Sequence, residues 1–444
     1  MQKEKNKDQA KFPFSLGERV RERGSLQERD KKHLWHPLKQ HQTHPESLAI
    51  VKAKGCILTD ENGSEYIDAI SSWYTCMFGH CNDFIIEKVH TQMQQLDQVM
   101  FSDFTHEPAI KLSENLIKIL PKNQNRIFFN DNGSTAVEAG IKMALQYYFN
   151  LDEKRSTFIA FENGFHGDTF GAMSVSGLPV YNGPFEDFLM KVERIPTPNG
   201  ENHQEILNKL QEIVAKKKVA GFIYEPIIQG AAGMKIHDAN GLNEILDFLK
   251  TNNILTIADE VMTGFGKTGR NFASDFIEIK PDIICLSKAL TGGLVPLAIT
   301  ACTEKIYTAF LSNEMAKGFF HCHTYSANPI ACTAANAAIE LLQTYEIQNN
   351  IKEISASHKK FEAHISKHSK VKTARSQGVI FALDLDTKMA RYGSLRDKLL
   401  TFFMERGVFL RPLGNTIYIQ VPYVITKKEL QKVYNTIEES LEIV

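Results

Sequence analysis

Short apolar stretches recur along this chain, and each ends at polar residues before a helical pattern begins. They include RIFFN at 126–130, VAGFIYE at 219–225, ILTIADE at 254–260 and DIICLS at 282–287. Parallel strands cannot be joined by a tight hairpin, so strands that alternate with helices are connected by right-handed crossovers. Such a sheet is buried on both faces, which explains the continuous apolar runs. The sequence therefore predicts an α/β fold in which helices cover a mainly parallel sheet.

A chain of 444 residues is too long for one hydrophobic core, so we expect more than one packed unit. Its C-terminal part interleaves the apolar stretches VIFALDLD and TIYIQVPY with two helical patterns, which is typical of a second, smaller α/β unit. We predict a flexible extension over 1–32, a segment at 33–70 that joins the smaller unit, a large domain at 71–335 and a small domain at 336–444.

The charge and cysteine content favour a small-molecule enzyme of the cell interior. With 51 basic and 52 acidic residues the net charge is −1, so the chain lacks the positive field on which nucleic-acid binding depends. Its seven cysteines are an odd number without regular spacing, which indicates a reduced, cytoplasmic protein. No apolar run approaches the roughly 18 residues of a membrane span, and no secretory signal pattern is present. We expect neither a nucleic acid nor a membrane as partner.

The polar residues that follow the apolar stretches are candidate site residues, because open parallel sheets bind ligands at the carboxyl ends of their strands. These candidates are Asn132, Gly133, Ser134, Phe165, His166, Gly167, Asp168, Glu225, Asp259, Glu260 and Lys288.

Lys288 is the only lysine among these candidates, and its chemistry suggests a cofactor. A free lysine amine has a pKa near 10.4, so only about one in several thousand is a neutral nucleophile at pH 7. A lysine that forms an imine with an aldehyde avoids this cost, and once released it can act as a general base. Pyridoxal phosphate needs such a lysine, a carboxylate facing its ring nitrogen, an aromatic residue over its ring and a phosphate site. The strand-end residues supply a candidate for each part.

Each candidate also has a purely structural interpretation. Ser134 could cap its own helix instead of binding a phosphate. Asp259 could be a buried acid that is paired with a neighbouring base, and Trp73 and Tyr74 could be core aromatics. Arg411 could be a solvated surface residue rather than a bidentate partner of a substrate carboxylate. The residues alone leave these alternatives open.

Two further patterns are misleading. Residues 264–269, GFGKTG, match the glycine pattern of dinucleotide-binding folds, but that pattern opens a helix directly after a strand. Here Asp259, Glu260 and residues 261–263 separate the apolar run ILTIA from the first glycine, and RNFASDF is a poor helix former. Four histidines between positions 33 and 44 lack cysteine or aspartate partners at ligand spacing, which favours a surface segment over zinc. We predict neither a dinucleotide nor a metal site.

Taken together, the runs NDNGSTAVEAGIKMA, GFHGDT, ADEVMTGFGKTG, SKALTGG and HTYSANPIAC are similar in order and spacing to the class III pyridoxal-phosphate aminotransferases. The resemblance covers about residues 35 to 440. It implies a fold-type I transferase with a large, cofactor-binding domain and a smaller α/β domain. It also implies a homodimer whose active sites lie at the subunit interface.

The resemblance assigns a role to the strand-end residues. Lys288 corresponds to the lysine that forms the imine, and Asp259 corresponds to the partner of the pyridine nitrogen. Phe165 and His166 occupy the ring-stacking position. The residues expected at the cofactor and its phosphate are Gly133, Ser134, Phe165, His166, Glu225, Asp259, Lys288, His323 and Thr324, with Thr324 reaching the phosphate from the other subunit.

Within the family, the pieces HLWHP, SSWY, HGDTFGAMS and IYIQVPY are most similar to aminotransferases of biotin biosynthesis. This implies conversion of 8-amino-7-oxononanoate to 7,8-diaminononanoate, with S-adenosylmethionine as amino donor. Arg411 would bind the carboxylate of the acceptor. The residues expected at the substrates are Leu38, Trp73, Tyr74, Phe165, Lys288, Cys322 and Arg411.

Four positions depart from the family's pattern, namely Leu38, Phe165, Lys267 and His323. Three of them would face substrate, so lysine remains open as an alternative donor. An aminotransferase acting on ornithine or 4-aminobutyrate, or a cofactor-binding protein without turnover, would fit the same cofactor residues.

Overall fold

The central element of the fold is a seven-stranded sheet. The structure is a computed structural model that describes residues 25–44, 46–178, 183–387 and 393–444. In spatial order the strands are β4 (Arg126–Asn130), β12 (Ala298–Cys302), β11 (Ile283–Leu286), β10 (Leu255–Asp259), β7 (Val219–Tyr224), β5 (Thr157–Phe161) and β6 (Val192–Ile195). Adjacent strands from β11 to β6 pair in parallel, and only β12 is antiparallel to its neighbours in this sheet. The predicted α/β fold with a mainly parallel sheet is confirmed.

Both faces of this sheet are buried, as the continuous apolar stretches indicated. Every residue of β7, β10 and β11 is buried. Along β5, Phe158 and Ala160 belong to one hydrophobic cluster, whereas Ile159 and Phe161 belong to another. Because successive side chains of a strand point to opposite faces, the two clusters lie on opposite sides of the sheet.

Helices pack around the sheet or close its crossovers. In chain order they are α1 (Leu26–His33), α2 (Asp83–Met93), α3 (Glu107–Ile119), α4 (Gly133–Asn150), α5 (Phe170–Val175), α6 (His203–Lys216), α7 (Ala239–Thr251), α8 (Glu304–Thr308), α9 (Pro329–Leu342), α10 (Tyr345–Ile365), α11 (Ser394–Glu405) and α12 (Lys427–Ser440). No helix in the part of the chain that the structure describes has the length and apolar character needed to cross a membrane.

Smaller sheets join distant parts of the chain. One contains β1 (Ile50–Lys54), β2 (Ile57–Asp60), β3 (Glu65–Asp68) and β15 (Val408–Phe409). Another contains β13 (Val371–Gln377), β14 (Ile380–Leu385) and β16 (Thr416–Gln420), and a hairpin pairs β8 (Ile228–Gln229) with β9 (Lys235–Ile236). Since β15 pairs in parallel with β3, residues from both ends of the chain share a sheet.

Helix α1 contains the last residues of the extension predicted over 1–32. Ser25 accepts a hydrogen bond from Glu28 N, and the Glu28 carboxylate accepts one from Ser25 N, so the helix begins with a capping box. His36 Nε2 lies 2.8 Å from the Asp30 carboxylate of this helix. Residues 1–24 lie outside the described residues.

Candidate active site

A cavity of about 660 Å³ opens at the carboxyl ends of the central strands. Asp131 follows β4, Glu225 follows β7, Asp259 ends β10 and Lys288 closely follows β11. The sequence-predicted residues that line the cavity are Leu38, Trp73, Tyr74, Asn132, Gly133, Ser134, Phe165, His166, Gly167, Asp168, Glu225, Asp259 and Lys288. The strand ends thus converge, as expected for ligand binding in an open α/β sheet.

Lys288 begins a short 3₁₀ turn, Lys288–Thr291, directly after the buried strand β11. It is a non-glycine residue with φ of 50°, an unfavourable conformation that is tolerated at functional sites. Desolvation by the surrounding protein lowers the pKa of Lys288, although the charges of Asp259 and Glu225 act in the opposite direction. A lowered pKa increases the fraction of neutral amine, which is the form that can attack a carbonyl or accept a proton.

Asp259 is held by two partners beside the cavity. Its Oδ2 lies 2.8 Å from His166 Nδ1, and its Oδ1 accepts a hydrogen bond from Val261 N at 3.0 Å. The His166 backbone N–H donates to Ser176 Oγ at 2.8 Å, so the imidazole is itself anchored. Both side chains of the pair are buried. These contacts fix the Asp259 carboxylate in place, and both Asp259 and His166 line the cavity.

The first turn of α4 forms a narrow cradle. Asn132, not Ser134, caps this helix, because its side chain accepts a hydrogen bond from Thr135 N. The alternative that Ser134 serves as the cap is therefore wrong. Ser134 Oγ instead accepts a hydrogen bond from Asp168 N at 3.2 Å. Free backbone N–H groups at such a helix N-terminus favour an anion.

Two glycines permit the close approach of backbone in this cradle. A Cβ atom on Gly167, whose φ is +129°, would lie 2.1 Å from Ser134 Oγ. A Cβ atom on Gly133 would lie 2.8 Å from a methyl group of Val261. Any side chain at these two positions would collide with the cavity wall, so glycine keeps the cradle open.

Glu225 lies buried in the same wall. Its carboxylate accepts hydrogen bonds from Phe165 N at 3.0 Å and Gly230 N at 2.8 Å. Burial, together with the charge of Asp259, raises the pKa of Glu225 to about 7, although His166 and the two hydrogen bonds oppose this shift. The side chain therefore changes its charge close to neutral pH.

Trp73 and Tyr74 form another part of the cavity wall, and Arg411 lies against Trp73. The Tyr74 hydroxyl donates to the Tyr418 hydroxyl oxygen at 2.9 Å, and Lys288 Nζ lies 5.2 Å from the centre of the Tyr74 ring. The Arg411 guanidinium carbon lies 5.1 Å from the Trp73 ring. Trp73 and Tyr74 are therefore cavity residues, whereas Arg411 is a neighbour of Trp73 that is not itself part of the lining.

Five sequence-predicted residues do not line the cavity of this chain, namely Glu260, Cys322, His323, Thr324 and Arg411. His323 Nδ1 lies 3.7 Å from Asp131 Oδ2, at the cavity's edge. The Thr324 carbonyl oxygen accepts a hydrogen bond from Gln98 Nε2 at 2.9 Å, and Cys322 is exposed.

Glu260 is a strand-end candidate that faces away from the cavity. Its carboxylate accepts hydrogen bonds from Ala273 N, Ser274 N and Thr263 Oγ1. It is fully buried and holds the loop after β10, which is a structural role.

The cavity also contains residues that the sequence did not single out. They include Ser72, Thr75, Gly230, Ala231, Val261, Met262, Gly293, Leu294, Val295, Pro296, Leu297 and Leu413. Most are apolar residues in loops, which carry no sequence signal of their own. Gly293 could have been found, because it belongs to a pair of glycines that closely follows Lys288 in the sequence.

The chain is similar to a known protein family over nearly its whole length. Residues 38–441 match the family model Aminotransferase class-III. The adenosylmethionine-8-amino-7-oxononanoate aminotransferase of Synechococcus elongatus is 42% identical over 419 residues, which span 92% of this chain and 98% of that protein. The protein of the same name from Staphylococcus aureus is 34% identical and spans 91% of this chain and 95% of its own length.

Solved structures agree with the sequence comparison. The crystal structure of adenosylmethionine-8-amino-7-oxononanoate aminotransferase from Methanocaldococcus jannaschii superposes with a TM-score of 0.89 at 33% identity, covering 94% of this chain and 99% of that one. An amine transaminase from an uncultivated Pseudomonas species, solved in its PLP-bound form, gives a TM-score of 0.86 at 27% identity, covering 92% and 98%.

Proposed function

The chain belongs to the class III aminotransferases, and we propose that it uses pyridoxal 5'-phosphate to convert 8-amino-7-oxononanoate to 7,8-diaminononanoate in biotin synthesis. The observation that carries this proposal is the convergence of Lys288, Asp259 and the N-terminus of α4 on one cavity. The relatives named for this reaction, at 42% and 34% identity over nearly the whole chain, support the choice of substrate.

The cavity residues fit the cofactor. The glycine-lined cradle of Gly133 and Gly167 leaves room for a phosphate beside Ser134 Oγ, where a Cβ atom would collide. Asp259, fixed by His166, would face the pyridine nitrogen, and Lys288 supplies the amine for the aldehyde. When bound, pyridoxal phosphate supplies an electron sink that stabilises the carbanion left by proton loss from the substrate's amine-bearing carbon.

Lys288 moves the proton in both half-reactions. Its Nζ accepts the proton from the donor carbon as a general base, a role that its lowered pKa favours. In the second half-reaction the same Nζ returns a proton to carbon 7 of the acceptor. One flexible side chain thus serves both substrates, since they bind to the same cavity in turn.

The remaining charged groups orient the reactants. Asp259 and Lys288 both line the cavity, and Phe165 and His166 would flank the position of the ring. Arg411 would bind the acceptor's carboxylate, with Trp73 and Tyr74 along its apolar chain. S-adenosylmethionine is the proposed amino donor, because both relatives are named adenosylmethionine-8-amino-7-oxononanoate aminotransferase. Lysine is the alternative amino donor.

We further propose a homodimer in the cytoplasm. Thr324 of the partner subunit would reach the phosphate, with His323 beside it, while Cys322 would lie near the substrate. This assignment is consistent with the position of all three residues outside the lining of this chain's own cavity. We retain the division into a large domain at 71–335 and a small domain at 336–444 as part of the proposal.

Borohydride reduction of the cofactor-loaded protein tests the cofactor assignment. We expect the reduced label on Lys288, located by peptide mass spectrometry, and no label on the Lys288→Ala variant. Lys267 is the matched control, because it is a second buried lysine whose Nζ donates to the Met262 carbonyl oxygen at 3.0 Å. A label on Lys267, or a protein that binds no pyridoxal phosphate, would contradict the proposal.

The donor is identified by following the cofactor's absorbance with single substrates. S-adenosylmethionine is expected to convert the bound cofactor to its aminated form, and 8-amino-7-oxononanoate to reverse the change. A response to lysine alone would transfer the donor role to lysine. A response only to ornithine or 4-aminobutyrate would contradict the biotin assignment.

A further inference from the structure

Four consecutive non-glycine residues adopt the left-handed backbone conformation in the cavity wall. Ser71, Ser72, Trp73 and Tyr74 have φ angles of 50°, 46°, 68° and 75°. In this conformation the Cβ atom of an L-residue lies too close to the following carbonyl oxygen, so left-handed residues normally occur singly. A run of four persists only where its surroundings enforce it.

The carboxylate of Asp68 enforces the start of this left-handed turn. Asp68 is fully buried at the end of β3, and its Oδ2 accepts hydrogen bonds from Ser72 N at 2.7 Å and Ser72 Oγ at 3.0 Å. On the other side, Ser71 Oγ donates to the Gln420 carbonyl oxygen at the end of β16, at 2.6 Å. The turn is therefore fixed to two sheets at once.

His80 is the charged partner of this buried carboxylate. Its Nε2 lies 2.8 Å from Asp68 Oδ2, and its backbone N–H and carbonyl both hydrogen-bond to Gly55. Burial opposes the charged imidazole, but the hydrogen bonds with Asp68 and Cys76 outweigh it and raise the pKa of His80 to about 10. A buried carboxylate that lost this partner would be left with uncompensated charge.

The turn brings two neighbouring aromatic rings to the cavity. Trp73 faces the Arg411 guanidinium at 5.1 Å, and Tyr74 faces Lys288 Nζ at 5.2 Å. A different backbone conformation at 71–74 would move both rings relative to the two cations. The positions of the two rings beside the Lys288 amine and the Arg411 guanidinium therefore depend on the conformation of the turn.

We propose that Asp68 and His80 are positioning residues whose ion pair keeps residues 71–74 left-handed and so sets the Trp73–Tyr74 wall against Arg411 and Lys288. Neither member of the pair lines the cavity, so the pair acts only through the turn. The inference rests on the proposed function in one respect, because it takes this wall to receive the apolar chain of the acceptor.

Tryptophan fluorescence tests the positioning role without any substrate. The chain contains only two tryptophans, Trp35 and Trp73, so a Trp35→Phe background leaves Trp73 as the sole reporter. In this background His80→Leu is expected to increase acrylamide quenching of Trp73 and shift its emission to longer wavelength. Ser72→Ala, which removes a single hydroxyl donor to Asp68, is expected to produce a smaller change of the same sign.

A matched control separates positioning from general destabilisation. His203→Leu breaks another histidine–aspartate pair, in which His203 Nε2 lies 3.0 Å from Asp238 Oδ2, and neither residue lines the cavity. It is expected to lower Tm without changing the quenching of Trp73. In kinetics, His80→Leu should raise KM for 8-amino-7-oxononanoate about tenfold with kcat changed less than about threefold, because ground-state binding is affected more than chemistry.

Unchanged quenching of Trp73 in the folded His80→Leu and Ser72→Ala variants would overturn the proposal, whether or not the protein aminates this acceptor. Altered quenching with an unchanged KM would also contradict it, because the wall would then not receive the acceptor. If His80→Leu fails to fold, Ser72→Ala alone decides. A protein inactive on the acceptor but altered in quenching would contradict the proposed function while leaving the positioning of the turn intact.

Discussion

At the scale of single residues, the site combines groups whose charges are adjusted by burial. Desolvation lowers the pKa of Lys288 and raises that of Glu225, and both shifts favour the neutral form. Such perturbed groups are concentrated in functional cavities. In the proposed mechanism Lys288 uses the shift for proton transfer, whereas the Glu225 carboxylate holds the backbone N–H groups of Phe165 and Gly230.

Glu225 gives a prediction for the pH dependence of stability in the cofactor-free protein. Its pKa rises from 4.5 to about 7 on folding, so between these values the folded state holds more protons than the unfolded state. Stability therefore falls as pH rises through this window. Glu225→Gln cannot ionise, so its free energy of unfolding relative to wild type should increase between pH 4.5 and pH 8, by up to about 3 kcal/mol.

Urea unfolding at pH 4.5, 6 and 8 measures this difference. Glu212→Gln is the matched control, because the Glu212 side chain is 72% exposed and should show no such trend. If the difference in free energy of unfolding between Glu225→Gln and wild type stays constant with pH, the pKa of Glu225 is not raised in the folded protein.

The sequence identified most of the individual site residues but not their local roles. Lys288, Asp259 and Glu225 could be predicted because each ends an apolar stretch. The role of Ser134 could not, because Asn132 also suits a helix cap and only the folded loop brings Asp168 N to the Ser134 hydroxyl. Contacts between residues so distant in sequence leave no local pattern.

At the scale of elements, the first turn of α4 and the loop at 165–168 form the cradle together. Their contact depends on Gly167, where φ of +129° and the nearness of Ser134 both exclude a side chain. The buried strands β7, β10 and β11 were predictable from continuous apolar runs. The antiparallel strand β12 and the left-handed turn at 71–74 were not, because pairing direction and backbone handedness depend on tertiary contacts.

Gly167→Ala should weaken binding of pyridoxal phosphate at least about tenfold, because the new methyl group displaces Ser134 from the cradle. Gly200→Ala is the matched control. Gly200 also has a positive φ, +92°, but a Cβ atom there would meet nothing within 4 Å. It should cost stability, by about 1 kcal/mol, with unchanged cofactor affinity. Equal cofactor affinity in the two variants, measured by equilibrium titration, would contradict the cradle.

At the scale of the whole molecule, the fold was predictable because its pattern is repeated along the chain. Alternating apolar strands and helices specify the central sheet, and the matched family model over 38–441 agrees with it. The sequence predicted that the segment 33–70 joins the smaller unit, but it did not predict the pairing of β3 with β15. A strand of two residues, such as β15, leaves too short a pattern to recognise. The proposed sharing of active sites between subunits depends on a surface that one chain alone cannot complete.

Mixing two inactive variants tests this sharing. Lys288→Ala removes the amine from one subunit, and Thr324→Asp places a negative charge where the partner's phosphate is proposed to bind. In a heterodimer one site receives intact Lys288 and intact Thr324 of the partner subunit, so activity should return to about a quarter of wild type after random subunit exchange. If Thr324 served its own chain's site, every site would carry a defect. Heterodimers that form but stay inactive would therefore contradict the shared site.

The most direct test of the account is mass-spectrometric detection of the product formed from 8-amino-7-oxononanoate by the pyridoxal-phosphate-loaded protein, with S-adenosylmethionine or lysine as donor. We expect 7,8-diaminononanoate from the wild type with at least one of these donors, and none from Lys288→Ala under the same conditions. Absence of the diamine with both donors, while ornithine or 4-aminobutyrate transfers its amino group to 2-oxoglutarate, would contradict the account.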